Sequence, residues 1–272
     1  MARRPHDNRH GFSLIELMVV IGIIALIIAI ALPALGGARK SAKQLQALSN
    51  IAQTHTLFEQ YAADNGRYPF RAAGDQPAGL DDPVEPNALT FRWWPDGHVV
   101  IATTDHFGQE ALWPAIVAPF EDWPTLAEIW MSPGKDTHLP TLDELQAGGD
   151  FDLDNLFSIV YSNSFVARPN LWTPDRGETV DRLAELRPTN PAEVRSPAAK
   201  VMLWDKDLAY ITDEIKVVDG HKKAPTPMAF ADGHADVKDP TEATEGVPNP
   251  LREGNTMKLH NTREGVYGVD YN

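Results

Sequence analysis

One long apolar run dominates the pattern of hydrophobic and polar positions. Residues 12–35 hold fifteen Leu, Ile, Val or Phe among 24, and Ser13 and Glu16 are the only strongly polar side chains in the run. As a helix rising ~1.5 Å per residue it reaches roughly 36 Å, enough for a ~30 Å hydrocarbon core. At ~0.3–0.6 kcal/mol per apolar residue, insertion outweighs the ~2.5–3.5 kcal/mol cost of one mid-membrane acid, and Glu16 lies near the helix end, where the cost falls. The run is therefore expected to enter a membrane despite Glu16. Beyond it the period changes. Leu45, Leu48, Ile51, Ala52, His55, Phe58 and Ala62 recur at steps of three and four, the stripe of an amphipathic helix over residues 36–65. Lys40, Lys43, Gln46, Asn50 and Gln53 are expected on the opposite face. Pro33 is expected to kink the helix, and Asn65-Gly66 to end it with Gly66 as a left-handed cap.

The rest of the chain reads as shorter elements. Residues 70–86 are rich in Gly, Pro and Asp and predict a loop. Residues 89–94 and 98–102 predict a hairpin about Pro95-Asp96-Gly97. Residues 107–131, with Trp113, Trp123 and Trp130 among prolines, predict short helices and loops with the indoles in a core. Strands are expected at 157–166, 201–204 and 213–218, and a short helix at 179–186 with Val180, Leu183 and Leu186 inward. Met228-Ala229-Phe230-Ala231 leads into Asp232-Gly233 and returns through His234-Ala235-Asp236-Val237, a tight hairpin. After Pro240 the chain is polar and rich in Pro and Gly, and is expected to be a loop wrapped on the surface or partly mobile.

The start of the apolar run carries the most specific signal. A cleaved secretory signal has a charged start, an apolar core of about 7–15 residues and a small-residue cut site. Ala31-Leu32-Pro33-Ala34 offers such a site, but the run is too long and begins with an acid; a plain signal anchor leaves Glu16 without a role. Gly11-Phe12-Ser13-Leu14-Ile15-Glu16-Leu17 instead resembles the leader of type IV prepilins and type II secretion pseudopilins. Tyr61-Ala62-Ala63-Asp64-Asn65-Gly66-Arg67-Tyr68-Pro69 resembles the end of the long helix in major pseudopilins. The resemblance implies cleavage after Gly11 by a prepilin peptidase on the cytoplasmic side and N-methylation of Phe12. It also implies pairing of Glu16 with the amine of Phe12 on a neighbouring subunit. A carboxylate in hydrocarbon is tolerable only when paired. Flanking charges do not set the orientation, since Arg3, Arg4 and Arg9 before the run balance Arg39, Lys40 and Lys43 after it. The leader resemblance puts the N-terminus in the cytoplasm. Residues 196–205 and the 221–236 stretch also resemble large prepilin-like proteins of planctomycete-type bacteria. Ten residues lie between His221 and Asp232, one more than that group's spacing.

Charge and composition narrow the chemistry. The formal net charge is −14, and removing a leader of net +2 leaves about −16, which speaks against nucleic acid. There is no Cys, so disulfides and thiolate zinc sites are excluded. Asp150, Asp152 and Asp154 alternate like the start of a calcium loop, but Asn155 and Tyr161 stand where an EF-hand needs Gly and Glu. Major pseudopilins bind calcium in a loop of the soluble domain, so the resemblance keeps calcium open as the one candidate cofactor. Asp232, His234 and Asp236 alternate and are a second metal candidate, with His221, Asp205 or Asp207 nearby; a polar hairpin face is the plainer reading. Neither a Gly-x-Ser-x-Gly nucleophile, a phosphate loop nor a dinucleotide fingerprint occurs.

The expected fold is α+β, a pilin-like lollipop in which a long N-terminal helix, transmembrane then amphipathic, packs on a small antiparallel sheet with an enlarged soluble domain. The expected divisions are a leader at 1–11, a transmembrane and fibre-core helix at 12–35, its amphipathic continuation at 36–65 and a soluble domain at 66–272. The expected role is structural rather than enzymatic: a single-pass inner-membrane subunit with its soluble domain in the periplasm, later built into a pseudopilus or pilus. Its expected partners are other subunits, prepilin peptidase, the inner-membrane assembly platform and the membrane. The alternative is a membrane-anchored, metal-dependent enzyme or binding domain.

Overall fold

The computed structural model describes residues 13–70, 89–92, 99–102, 109–118, 122–135, 139, 156–174, 185–211, 217–218, 220–250 and 256–272. By internal contacts it divides into two units, residues 1–42 and 43–272. In the first unit every described residue from Leu14 on is helical and exposed. This is the beginning of α1 (Leu14–Asn65, 52 residues), whose helical assignment continues unbroken through Pro33. The expected end is observed: Gly66 adopts φ 70° and donates to the Ala62 carbonyl at 2.8 Å, the left-handed stop that glycine makes without steric cost.

In the second unit α1 buries Ala47, Asn50, Ile51, Thr54, His55, Phe58 and Ala62. The stripe is rotated from the purely apolar one. Leu45 is exposed, and Asn50 lies inside instead of facing away. Polar contacts explain the shift. Asn50 donates to the Glu128 carbonyl at 3.0 Å and Thr54 to the Ile129 carbonyl at 3.4 Å. These carbonyls belong to the last turn of α4 (Trp123–Trp130), where a helix has no partners of its own for them. The two short helices before it, α2 (Gln109–Leu112) and α3 (Pro114–Val117), follow a separate antiparallel hairpin of β1 (Leu89–Arg92) and β2 (Val99–Ala102).

The main sheet is an antiparallel meander of β3 (Ile159–Tyr161), β4 (Val201–Asp205), β5 (Thr226–Phe230) and β6 (Ala235–Lys238). β3 pairs Tyr161 with Leu203, and β5 pairs Met228 with Trp204; a bulge interrupts β4 between Val201 and Leu203. Every residue of β3, β4 and β5 is buried, which requires cover on both faces. Phe58 of α1 packs on Tyr161 at 4.9 Å and on Trp113 at 5.1 Å, covering the face that carries Tyr161 and Leu203. The opposite face carries Trp204, Met228 and Phe230. There His260 meets Trp204 at 4.5 Å, and the Tyr271 hydroxyl reaches the Met228 sulfur at 3.5 Å. The C-terminal tail is thus the second layer of the core, which corrects the expectation of a surface loop. Polar composition concealed this because many of the tail's polar groups are paired inside. Ser164 donates to the His260 carbonyl at 2.7 Å, and the Asp270 N–H to the Ala199 carbonyl at 2.9 Å.

Two other sequence expectations change. The strand foreseen at 157–166 stops at Tyr161, where Ser162 caps a 3-10 turn, Asn163–Phe165. Of the helix foreseen at 179–186 only the last two residues are described: Glu185 is helical, whereas Leu186 forms an isolated antiparallel bridge with Ala167, and the Arg187 N–H donates to the Val166 carbonyl at 3.1 Å. Val180 and Leu183 lie outside the described residues, as does most of the 213–218 stretch, of which Val217 is buried but not in a strand. The three indoles are core, as expected: Trp113 and Trp123 each meet Trp130 edge-to-face, at 5.3 and 6.1 Å.

The tail is anchored by a buried ion pair. Lys200 and Asp270, 0 and 1% exposed at their side chains, are 3.0 Å apart; Thr262 bridges both, and the Val201 N–H adds a fourth contact at 2.8 Å. Removing one partner strands a charge in the core. Asp270→Ala is expected to cost about 3–5 kcal/mol in denaturant unfolding of the full chain, and Lys200→Met combined with Asp270→Leu to recover much of that loss.

Candidate functional site

The first described residues close on themselves. The Ser13 N–H donates to Glu16 Oε2 at 2.8 Å, and the Glu16 N–H donates to Ser13 Oγ at 3.4 Å. This reciprocal pair is a capping box, which satisfies two of the N–H groups that a helix start leaves free. The carboxylate also sits at the positive end of the helix. The Ser-x-x-Glu spacing was visible in the sequence, but the acid reads there only as a group awaiting a partner. Beyond the cap the large apolar side chains from Leu14 to Leu35 are exposed, Ile30 by 70%. None of the most hydrophobic window of α1 is buried among the described residues. A contiguous surface of that size exceeds the few hundred Å² of apolar patch found on soluble monomers, so its cover is lipid or other protein. By length and composition α1 can cross a membrane. Gly11 and Phe12 lie outside the described residues, as do Asp150, Asp152 and Asp154.

The second metal candidate does not assemble. Asp232 lies in the turn rather than on the strand, so strand alternation does not align it with Asp236. Its Oδ1 accepts from the His234 N–H at 3.1 Å and meets the His234 ring Nδ1 at 2.5 Å. Asp236 instead accepts from the Val237 N–H at 2.7 Å and lies 3.5 Å from Lys238. His221 contacts the Thr256 carbonyl through Nε2 at 2.6 Å. Asp207 is held by Lys135 at 2.6 Å and Ser158 at 2.8 Å. Among the described residues no three His, Asp or Glu side chains group to hold a metal.

Asp205 is the most perturbed acid in this region. At 3% exposure it ends β4, and its Oδ1 accepts from the N–H groups of Asp207 at 3.0 Å and Leu208 at 3.2 Å, while Oδ2 is buried without a partner. Burial pushes its carboxyl up to about 6, although the nearby Ser132 hydroxyl and the two backbone N–H groups pull the other way.

The Prokaryotic N-terminal methylation motif matches residues 6–32. The type II secretion system core protein G of Klebsiella michiganensis is 31% identical over 103 residues, which is 38% of this chain and 70% of that protein. The chain belongs to the type II secretion system core protein G family. The core protein G of Escherichia coli K12 is 27% identical over 146 residues, 54% of this chain and 95% of the relative. The type IV wide pilus major component PilA4 of Thermus thermophilus is 37% identical over 84 residues, 31% of this chain and 63% of the relative. No solved structure matches the chain.

The core protein G fold here carries a titration that works against folding at neutral pH. A carboxyl whose folded value is raised binds protons more tightly in the folded state, so stability falls as pH rises from about 3.8 to about 6. Asp205→Asn keeps an acceptor for the two N–H groups and removes the charge. Thermal melts of the full chain are expected to show the variant gaining on the parent across that window, by up to about 3 kcal/mol for a two-unit difference.

Proposed function

We propose that the chain is a structural subunit of a type II secretion pseudopilus or a related type IV pilus-like fibre. The observation that carries this is a 52-residue helix whose apolar half is uncovered, with the one acid of that half, Glu16, capping the first turn. Membership of the core protein G family and the methylation motif over residues 6–32 support the same reading. On it, residues 1–11 are a leader that prepilin peptidase removes after Gly11 on the cytoplasmic side, and Phe12 becomes the methylated N-terminus. Residues 12–35 hold the subunit in the inner membrane and later line the fibre. Residues 36–65 continue the helix, and residues 66–272 complete the periplasmic domain.

Glu16 takes the central role in assembly. In the isolated chain its carboxylate accepts from its own Ser13 N–H. In the fibre the new amine of Phe12 on a neighbouring subunit provides a full charge in place of that dipole, and a charge-assisted contact in an apolar setting is the stronger of the two. The partners are other subunits, identical or not, and the inner-membrane platform that extracts them. The role requires no catalytic group of the chain itself.

Mass spectrometry of the chain recovered from native membranes is expected to find Phe12, one methyl heavier, at the N-terminus. An intact Met1, or a start near Ala34, would overturn the reading. Glu16→Ala is expected to leave the subunit in the membrane but absent from crosslinked fibre; normal incorporation would remove the assembly role of this acid.

A further inference from the structure

We propose that the contact between α1 and the turn of the β5–β6 hairpin is an acid-labile joint, in which proton uptake at His55 releases the turn. The joint lies wholly within residues 43–272 and holds whether or not the chain builds a fibre. His55 is 3% exposed, and its Nε2 is buried without a hydrogen-bond partner. Gly233, at φ 93°, turns its Cβ position toward the ring, where a Cβ would make ordinary van der Waals contact at 3.7 Å from the imidazole Cε1. The turn therefore closes over an imidazole that is content only when neutral, because an imidazolium must donate from both nitrogens.

The surrounding charges support a cation only in part. On α1 itself, Glu59 Oε1 lies 3.6 Å from His55 Nε2, beyond hydrogen-bond length, and it already accepts from the Tyr68 hydroxyl at 2.9 Å. From the turn, Asp232 is engaged with His234, whose ring stacks on Phe230 at 4.3 Å. Burial holds the His55 imidazole below its ordinary 6.5; Glu59 and Asp232 pull it up and His234 pushes it down, and burial wins. The sign follows. A folded imidazole that resists protons binds fewer than the open form, so the closed joint is favoured above about 6.5 and loses ground as pH falls below that value. Burial pushes the Asp232 carboxyl up, but hydrogen bonds from His234 outweigh it and hold the carboxyl below its usual value. Asp232 thus stays ionised while His55 titrates. Opening the turn admits water to the ring, and the proton taken up keeps the turn open.

Hydrogen exchange of the full chain in detergent tests the joint locally, free of the opposite global titration of Asp205. Between about pH 7.5 and about pH 5, after correction for intrinsic rates, protection of amides at 228–236 is expected to fall several-fold relative to β3 and β4. In His55→Gln it is expected to stay level. An unchanged hairpin in the parent chain overturns the proposal, as does an equal acid loss in His55→Gln. So does a His234→Gln variant that abolishes the response while His55→Gln keeps it. Should the His55 variant fail to fold, the carbon-13 shift of the parent His55 ring decides: it must titrate in step with hairpin opening, and a ring that stays neutral while the hairpin opens overturns the joint.

Discussion

Phe58 wedged between Tyr161 and Trp113 is the contact on which the folded domain depends. It is where a helix whose first half is uncovered acquires a core. Isolated amphipathic helices gain little from propensity alone; their stability comes from burying one face against something else. Here that face meets a sheet, and the Trp113 indole N–H ties the same cluster to the Ile159 carbonyl at 3.0 Å. One continuous helix thereby serves two solvents. Its early side chains are apolar nearly all round, and none of the described residues covers them. Its later ones are apolar on one side because the sheet does.

The second face of that sheet has a less obvious cover. β4 and β5 are buried throughout, yet no second helix lies over Trp204, Met228 and Phe230 among the described residues. The C-terminal tail fills the place with polar sequence made acceptable by pairing. Buried polar groups cost free energy only while unsatisfied. Lys200, Asp270 and Thr262 satisfy one another, and hydroxyls of Ser162 and Ser164 take the carbonyls of Leu259 and His260. Such a network favours one arrangement over slipped ones, because every displaced partner would leave a buried charge or dipole unmatched.

Against this well-paired background three ionisable groups stand out: Glu16 at the helix start, His55 under the hairpin turn and Asp205 at the end of β4. Each is located by a neighbouring backbone segment rather than by a full set of side-chain partners. Glu16 has a local cap that a stronger partner is able to replace. Burial biases both His55 and Asp205 toward the form that carries less charge, so they respond to pH with opposite signs.

Much of this was legible in order along the chain. The apolar run, the stop at Asn65-Gly66, the hairpin at Asp232-Gly233 and the buried strand at 201–204 are local patterns, and local periodicity and turn chemistry suffice to specify them. The family resemblance rested on the same local residues. What tertiary structure alone decided were the partnerships across the chain. Asn50 turns inward because α4 ends beside it, and Asp232 and Asp236 part because a turn breaks the strand alternation. The polar tail becomes core because the open face of the sheet lies there and its buried Thr262 and Asp270 find Lys200, 62 and 70 residues away. Periodicity says which side of an element avoids water; it carries no information on what will stand opposite, since that depends on how distant segments fill the remaining space.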